Sequence, residues 1–420
     1  MGALMKERLT AGAFALLEDA GRLGDRLGVS VYVVGGSVRD LLLGITNLDL
    51  DLTVEGDGIA YARALAREKK ASLKAYERFA TAMLFLPGGG KLDVATARSE
   101  SYPVPAVLPT VTASDIKADL FRRDFTINAL AVRLNRDGFG ELLDWYGGRR
   151  DLKAKTIRVL HDRSFIEDPT RIFRAVRFEQ RFGFRLHRET LALLKETGRL
   201  DLVGRLSGER LLNEIVLLLS DRQPRRAIAR LGGLGLLRYV HPALAWSPAL
   251  GARLKAVDRV LARHGRLSQD PWLVYFMAML EPLSPQQIEE VLERFPLRAR
   301  HAAAIWTGHA SSGAILRRLA LRPLPNPGEA YRLLRGLSEE AVLLLMARSK
   351  TDQARRRLAA YLTRDRHVKP AVAGDELKAW GLKPGPRFTV ILERLLEARL
   401  NGEVTSDAEE RVLAKQLVGA

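Results

Sequence analysis

Residues 29–54, VSVYVVGGSVRDLLLGITNLDLDLTV, decide the fold of the first part of the chain. Residues 29–34 form a β-branched and aromatic run, which predicts a strand. The pair Gly35-Gly36 ends that run, and residues 38–43 predict a helix. Residues 48–54 alternate leucine with aspartate, so they predict a second strand with one acidic face. The stretch therefore predicts a strand, a glycine turn, a helix and a strand in succession.

The flanking sequence extends this pattern into a mixed α/β region. Residues 7–28 predict an amphipathic leader helix, and residues 59–70 predict another helix. Residues 81–86 and 91–96 predict strands that are joined at a run of three glycines, residues 88–90. The spacing is that of hairpins and differs from the regular βαβ spacing of a dinucleotide-binding fold.

The strand signal fades after about Phe165, where the sequence becomes rich in Leu, Ala and Arg with helical periodicity. Prolines and glycines interrupt this part often enough to predict roughly a dozen helices. We therefore expect an α+β fold, in which an α/β head precedes an elongated all-helical body. The predicted domains are a leader helix (1–28), a head (29–160), a helical neck (161–225), a helical body (226–340) and a helical tail (341–420).

The composition favours a partner that is a polyanion. The 420 residues include 67 Lys and Arg against 49 Asp and Glu, which gives a formal net charge of +18. The chain contains no Cys, so disulfides, thiolate zinc sites and cysteine nucleophiles are excluded. No apolar run reaches the roughly 18–20 residues that span a bilayer, and the N-terminus does not resemble a secretory signal. These features predict a cytoplasmic protein with no membrane partner.

The glycine turn and the two aspartates after it can face one phosphorylated ligand. Glycines let a backbone approach a ligand closely, and the amide groups at a helix N-terminus attract anions. Asp49 and Asp51 lie two residues apart on a predicted strand, so their carboxylates point to one face. Two such carboxylates suit Mg²⁺, which also binds substrate phosphates. Asp93 is a weaker candidate for a third acidic residue at this site. The alternative interpretation is that Asp49 and Asp51 lie on the solvent-facing side of an edge strand.

Four motifs in this order resemble those of the class II tRNA nucleotidyltransferase and bacterial poly(A) polymerase family. They are VGGSVRD (34–40) with DLD (49–51), RRDFTINALA (122–131), EDPTR (167–171) and SGER (207–210). The segment GLKPGP (381–386) is similar to the tail of this family but is less specific.

The resemblance implies a head of the polymerase-β type, followed by a helical neck, body and tail. It implies that the two aspartates Asp49 and Asp51 are catalytic and bind metal, with two Mg²⁺ ions supporting nucleotidyl transfer and release of pyrophosphate. It also implies that Asp168 and Arg171 select CTP and ATP over GTP and UTP by presenting an acceptor and donors to the base. The implied nucleotide-binding residues are Gly35, Gly36, Ser37, Arg39, Arg123, Asp168, Arg171, Arg174 and Arg177.

Several alternatives remain open at this point. Arg122 and Asp124 are expected to support Arg123, and Asn128 is either a ligand contact or a buried amide. The well-populated interval 99–121 argues against an enzyme that adds only CC, and its apolar composition is closer to A-adding relatives than to full CCA-adding ones. A poly(A) polymerase, a non-catalytic RNA-binding protein and an aminoglycoside-type nucleotidyltransferase are the competing hypotheses.

The basic clusters of the helical part predict a surface that follows an RNA backbone. They lie at Arg225-Arg226, Arg317-Arg318, Arg355-Arg356-Arg357 and Arg364 with Arg366. Such clusters give salt-dependent binding that is largely independent of sequence. We therefore expect tRNA, recognised by the shape of its acceptor and T-arm backbone, as the macromolecular partner, with ATP and/or CTP as substrates and no DNA.

Overall fold

The computed structural model describes residues 1–45 and 49–419. The chain divides into two compact units, residues 1–214 and residues 215–420. The described part of the first unit contains the strands, and the described part of the second is helical. The expectation of an α+β fold is confirmed. The finer division into five domains stays a prediction.

The strands are short, and most belong to one sheet of the first unit. Their bounds are β1 Ser30–Val34, β2 Leu50–Glu55, β3 Ser72–Tyr76, β4 Thr81–Leu86, β5 Gly90–Thr96, β6 Arg98–Ser101, β7 Thr110–Ala113, β8 Ala131–Arg133, β9 Leu142–Leu143, β10 Thr156–Ile157 and β11 Arg185–Leu186.

The main sheet has seven strands in the order β3-β4-β5-β2-β1-β8-β9. Strands β2 and β5 are parallel, and the other neighbouring pairs are antiparallel. The register of β2 against β5 places Asp51 directly beside Asp93. This parallel pair brings acidic residues from two distant segments to one part of the sheet.

The helices of the first unit flank this sheet and continue beyond it. Their bounds are α1 Gly2–Arg8, α2 Ala11–Leu27, α3 Gly36–Leu43, α4 Gly58–Lys69, α5 Ile116–Phe121, α6 Gly148–Lys153, α7 Ser164–Glu167, α8 Thr170–Phe182 and α9 Arg188–Arg199; α10 Gly208–Leu219 begins in this unit.

The predictions for the first unit hold for most elements and fail at specific ends. The predicted start of the leader helix at residue 7 is wrong, because the Thr10 side chain accepts a hydrogen bond from the Ala13 amide and caps a helix that begins at Ala11. Residues 2–8 form the separate helix α1. Asp49 precedes β2 rather than lying within it, and the predicted strand residue Leu48 lies outside the described residues.

Two features of the first unit were not predicted. Strand β3 was missed because its apolar residues are few and its burial alternates only between exposed and half-buried. The interval after β5 contains the antiparallel hairpin β6–β7 and helix α5, for which no secondary structure was predicted. The hairpin strands consist largely of Arg, Ser, Glu and Thr, so they lack the apolar alternation that signals a strand.

The second unit consists of helices, many of which begin at a proline that suits the first helical turn. Their bounds are α11 Pro224–Gly233, α12 Pro248–His264, α13 Pro271–Leu280, α14 Pro285–Arg294, α15 Ala299–Ala320, α16 Pro327–Leu334, α17 Glu339–Arg348, α18 Asp352–Thr363, α19 Gly374–Ala379, α20 Pro386–Asn401 and α21 Asp407–Gly419. No helix of the described residues combines the length and the apolar character needed to cross a membrane.

Candidate functional site

A cleft of about 530 Å³ in the first unit gathers most of the side chains that were predicted to form a site. Segments from β2, the glycine turn, the β6–β7 hairpin, the end of α5 and the start of α8 surround it. The predicted residues among its lining are Gly36, Arg39, Asp51, Arg123, Asp168, Arg171 and Arg174. The cleft is therefore strongly charged, with arginines from several segments around a few carboxylates.

The glycine turn is shaped by an arginine as well as by its own backbone. Gly35 has a φ of 65°, a conformation that side chains rarely adopt. A Cβ atom at this position would collide with Nη1 of Arg123. Glycine is therefore required both for the turn and to leave room for the Arg123 guanidinium.

Ser37 links the glycine turn to the two aspartates. Its hydroxyl donates to the backbone carbonyl of Asp49 at 2.6 Å and accepts from the backbone amide of Asp51 at 3.0 Å. The side chain is 3% exposed, so these two bonds occupy the hydroxyl. Ser37 is placed to fix the backbone that carries the carboxylates.

The carboxylate of Asp51 lies half-buried on the sheet in an environment that disfavours its charge. Burial is the main cause that raises the pKa of Asp51; Arg123 opposes it, Asp93 and Asp49 add to it, and the resulting pKa is about 6. Asp93 forms an ion pair with Lys91 at 2.7 Å. In the described part of the chain no three acidic or histidine side chains converge to hold a metal. Asp49 and Asp51 repel each other as carboxylates, and a cation would relieve this repulsion. The pair therefore fits a divalent ion that substrate phosphates also bind.

Asp119 orients both arginines of the segment 122–124. It is fully buried, and Oδ1 accepts from Nε and Nη2 of Arg122 at 3.0 and 2.6 Å. Oδ2 accepts from Nη2 of Arg123 at 2.8 Å. Although burial alone would raise the pKa of Asp119, the two guanidiniums lower it. The Arg123 side chain is thus held between Asp119 and the space left by Gly35.

Asp124 orients a different arginine. Its Oδ2 accepts from Nε and Nη2 of Arg174 at 2.8 and 2.6 Å, and its Oδ1 accepts from Asn128 at 2.8 Å. Asn128 in turn accepts from Nη1 of Arg39 at 2.5 Å. Burial would raise the pKa of Asp124, but Arg174 and Asn128 lower it to about 2. Asn128 is therefore a buried amide with partners on both sides, the second of the two expected roles.

An aromatic ring keeps three of the predicted arginines in place. The guanidiniums of Arg39, Arg174 and Arg177 lie 5.2, 5.5 and 5.0 Å from the centre of the Phe178 ring. Arg177 is 6% exposed and forms an ion pair with Glu214 at 3.5 Å. Arg177 therefore supports the cleft from behind, whereas Arg39 and Arg174 reach its lining.

The pair Asp168 and Arg171 lies at the junction of α7 and α8. Nη1 and Nη2 of Arg171 donate to Ser164 Oγ at 2.8 Å and to the Arg122 backbone carbonyl at 2.7 Å. Oδ1 of Asp168 accepts from the Thr170 hydroxyl at 2.6 Å and from Nη2 of Arg210 at 2.8 Å. The two members of the pair approach each other to 4.0 Å, between Nε of Arg171 and Oδ2 of Asp168.

The β6–β7 hairpin is fastened to this part of the cleft at two points. Glu100 on β6 accepts from Nη1 of Arg122 at 2.8 Å and from the Tyr102 hydroxyl at 2.8 Å. The backbone carbonyl of Ala106 accepts from Nη1 of Arg210 at 2.5 Å. Arg210 thus bridges the hairpin loop and Asp168.

Comparison with known proteins gives two family-model matches. The Poly A polymerase head domain model matches residues 31–158, and the model described as the probable RNA and SrmB-binding site of polymerase A matches residues 183–247. The A-adding tRNA nucleotidyltransferase of Geobacter sulfurreducens is 43% identical over 99% of this chain. This chain spans only 48% of that relative, about half its length.

A second relative is covered almost completely. The A-adding tRNA nucleotidyltransferase of Halalkalibacterium halodurans is 32% identical over 92% of this chain and 88% of its own length. The chain belongs to the tRNA nucleotidyltransferase and poly(A) polymerase family. A solved member, the Thermotoga maritima CCA-adding enzyme complexed with tRNA, is 34% identical with a TM-score of 0.76 over 99% of this chain and 97% of its own.

In this member of the tRNA nucleotidyltransferase family, four residues that hold the predicted site residues in place were not predicted. They are Asp119, Ser164, Thr170 and Arg210. Only Asp119 had a local signal, because Arg122 and Arg123 follow it at the helical spacings of three and four residues. Arg210 lies 42 positions from Asp168 in sequence. Ser164 lies seven positions before Arg171, on the separate helix α7, so no helical spacing signals their contact.

The basic clusters of the second unit differ among themselves. Arg318 donates to both carboxylate oxygens of Glu329 at 2.6 and 2.7 Å, and Arg225 pairs with Asp258 at 2.7 Å. Arg226 and Arg356 are exposed and form no ion pair with any residue that the structure describes. The predicted RNA-binding surface would therefore be formed by only some of the predicted arginines.

Proposed function

We propose that this chain adds the terminal A of the 3′ CCA sequence to tRNA, using ATP and releasing pyrophosphate. The observation that carries the proposal is one cleft that contains both the half-buried Asp51 carboxylate and the fixed pair Asp168 and Arg171. The first feature supports transfer chemistry and the second supports selection of a base. The printed names of the Geobacter and Halalkalibacterium relatives support addition of A.

The nucleotide would bind through several fixed cations. Arg123, held by Asp119, and Arg39, held by Asn128, line the cleft and suit contacts to ribose and phosphates. The glycine turn presents the N-terminus of α3 to the same space, which suits an anion. Arg174, whose guanidinium is fixed by Asp124, adds positive charge without moving.

Asp49 and Asp51 would hold divalent ions, and we propose two Mg²⁺. When bound, such ions activate the attacking 3′ hydroxyl and stabilise the leaving pyrophosphate. The protein's contribution is to fix the backbone of Asp49 and Asp51 through Ser37 and to keep the Asp51 carboxylate in a half-buried position that favours a cation beside it. Asp93 is engaged by Lys91, so we assign it no metal.

The base would be selected by the free edges of Asp168 and Arg171. Oδ2 of Asp168 is an acceptor for the adenine amino group, and Nε of Arg171 is a donor for the neighbouring ring nitrogen. Guanine and uracil present a carbonyl where adenine has its amino group, so they would place two acceptors together. This arrangement selects ATP over GTP and UTP.

The exposed arginines of residues 215–419 would bind the tRNA backbone, with the tail, residues 341–420, as the proposed main contributor. The formal charge of +18 favours such binding, which depends on salt and not on sequence. Since tRNA is the proposed substrate, we place the protein in the cytoplasm.

Addition of the whole CCA sequence is the second candidate function. The similarity to the Thermotoga maritima CCA-adding enzyme over 99% of this chain favours it. Poly(A) polymerase and a non-catalytic RNA-binding protein remain as alternatives that the same experiment distinguishes.

The test offers tRNA acceptors that end before CCA, after C and after CC, with Mg²⁺ and labelled ATP or CTP. We expect one A to be added to the CC-ending acceptor and no extension of the other two. Extension of all three to CCA would show the second candidate, and long A tails would show a poly(A) polymerase. Tight binding of tRNA without any incorporation would contradict the proposal and favour a binding protein.

A further inference from the structure

Arg171 is anchored at both terminal nitrogens by acceptors outside its own helix α8. Ser164 Oγ belongs to α7 and is fully buried, and the Arg122 carbonyl belongs to the segment that follows α5. The arginine itself is 4% exposed. Because two acceptors from separate segments fix the planar guanidinium, it cannot rotate without losing a hydrogen bond.

Asp168 is anchored in a similar way at one oxygen. Oδ1 accepts from the Thr170 backbone amide at 3.1 Å, the Thr170 hydroxyl at 2.6 Å and Arg210 Nη2 at 2.8 Å. Oδ2 has no hydrogen-bond donor among the described residues, and neither does Nε of Arg171 have an acceptor there. The pair therefore offers one acceptor and one donor to a ligand, both at fixed positions.

Adenine and cytosine present the same order of groups at their pairing edge, an amino donor beside a ring-nitrogen acceptor. The edge of adenine lies farther from the ribose, because a five-membered ring separates it from the sugar. If Asp168 and Arg171 could move together, they could bind either edge. If they are fixed relative to the residues that would bind the sugar, they can bind only one edge. Arg171 donates to the Arg122 carbonyl and Arg123 donates to Asp119, three residues before Arg122, so the distance between the two guanidiniums is constrained.

We propose that Ser164, Thr170 and Arg210 are positioning residues that determine nucleotide specificity. They hold Asp168 and Arg171 at one fixed distance from the residues that would bind the ribose, so that the cleft binds ATP and rejects CTP. The inference rests on the proposed addition of A. It assigns the choice between the two permitted bases to anchors that contact neither base. Removing one of these hydrogen bonds then lets Asp168 or Arg171 move toward the shorter pyrimidine.

The experiment uses Ser164→Ala, which removes one of the two anchors of Arg171, and the isosteric Thr170→Val, which removes the hydroxyl anchor of Asp168. Dissociation constants for the α,β-methylene analogues of ATP and CTP are measured by calorimetry on the full chain with Mg²⁺. We expect each variant to narrow the ATP-to-CTP preference by about five-fold, the effect of one net hydrogen bond. The ratio of A to C incorporated into CC-ending tRNA should narrow in parallel.

Ser312→Ala is the matched control, because Ser312 is also buried and donates to a backbone carbonyl, that of Gly308, but lies on α15. It should keep the wild-type preference, and thermal unfolding checks that each variant is folded. An unchanged preference in both folded variants would overturn the inference, as would a wild-type chain that binds the two analogues equally. Absence of incorporation on every acceptor would instead contradict the proposed function, and the dissociation constants would still decide the inference.

Discussion

The arginines of the cleft are held by fixed partners, and some exposed arginines of residues 215–419 are not. Arg39 and Arg171 are 5% and 4% exposed, and fixed acceptors hold each of them. Arg226 and Arg356 are exposed, and no carboxylate that the structure describes pairs with them. A fixed guanidinium can distinguish one ligand geometry from another, whereas a mobile one supplies charge. This difference agrees with the proposed division of roles, in which the first unit selects the nucleotide and the exposed arginines bind a polyanion of any sequence.

The largest expected effect would separate chemistry from RNA binding. Asp51→Asn keeps the shape of the side chain but removes a charge that the proposed metal ions need, so transfer should fall by at least about 1,000-fold. Binding of tRNA, measured by filter retention, should stay within about two-fold, since it depends on backbone contacts made by other residues. Asp137→Asn, an exposed position in the same unit, is the control. Transfer that survives in Asp51→Asn would contradict the assignment of the metal site.

A second substitution compares a buried ion pair with an exposed one. Asp119→Asn would leave Arg122 and Arg123 without their buried counter-charge, so the free energy of unfolding should fall by about 3 kcal/mol. The Michaelis constant for ATP should also rise, because Arg123 loses its orientation. Asp352→Asn removes the partner of Arg355 in the second unit, where the Asp352 side chain is 78% exposed, and should cost less than about 1 kcal/mol. Equal losses in urea unfolding would contradict the contrast between the two regions.

The acid stability of the cleft gives a third test. The pKa of Asp124 is about 2, below the ordinary value of 3.8, so the ionised form is favoured by folding. Its contribution is complete above about pH 4 and is lost as the pH falls toward 2. The difference in unfolding free energy between the wild type and Asp124→Asn should therefore shrink by about 2 kcal/mol between pH 5 and pH 2. A difference that does not change with pH would show that Asp124 is not held by Arg174 as described.

The smallest expected effect concerns the exposed arginines. Replacing the exposed Arg356 and the half-buried Arg357 with Gln should weaken tRNA binding by less than about ten-fold and should reduce the salt dependence by about one unit for each lost phosphate contact. The choice between ATP and CTP should not change. Arg67→Gln, which removes one exposed positive charge on α4, is the control for each of the two charges removed. An unchanged salt slope in the double variant would remove this cluster from the RNA path.

Much of the first unit could be predicted from local patterns. The strand at residues 81–86 and the helix that follows Gly35-Gly36 are fixed by short-range alternation and by a glycine turn. The cleft brings together Asp51, Asp168 and Arg171, which lie far apart in sequence, and it does so as the ordered motifs imply. Local pattern was sufficient where a residue's own neighbours in sequence determine its conformation.

The residues that hold the site could not be predicted in the same way. Gly35 is also required by the guanidinium of Arg123, a contact across 88 positions that no local pattern signals. Ser164 is an ordinary small polar residue until α8 places Arg171 against it. The β6–β7 hairpin escaped prediction because its stability comes from contacts such as Glu100 with Arg122 rather than from apolar alternation. Partners that only the folded chain brings into contact decide these features, and a single sequence does not state them.

The most direct test of the account is a competition among all four nucleotides on one acceptor. The full chain is given Mg²⁺, tRNA ending in CC and equal concentrations of ATP, CTP, GTP and UTP, and the 3′ ends of the products are sequenced. We expect a single added A on nearly every extended molecule. Products that carry C, G or U, or that continue beyond one nucleotide, would contradict the claim that the fixed cleft of residues 1–214 selects ATP for one addition.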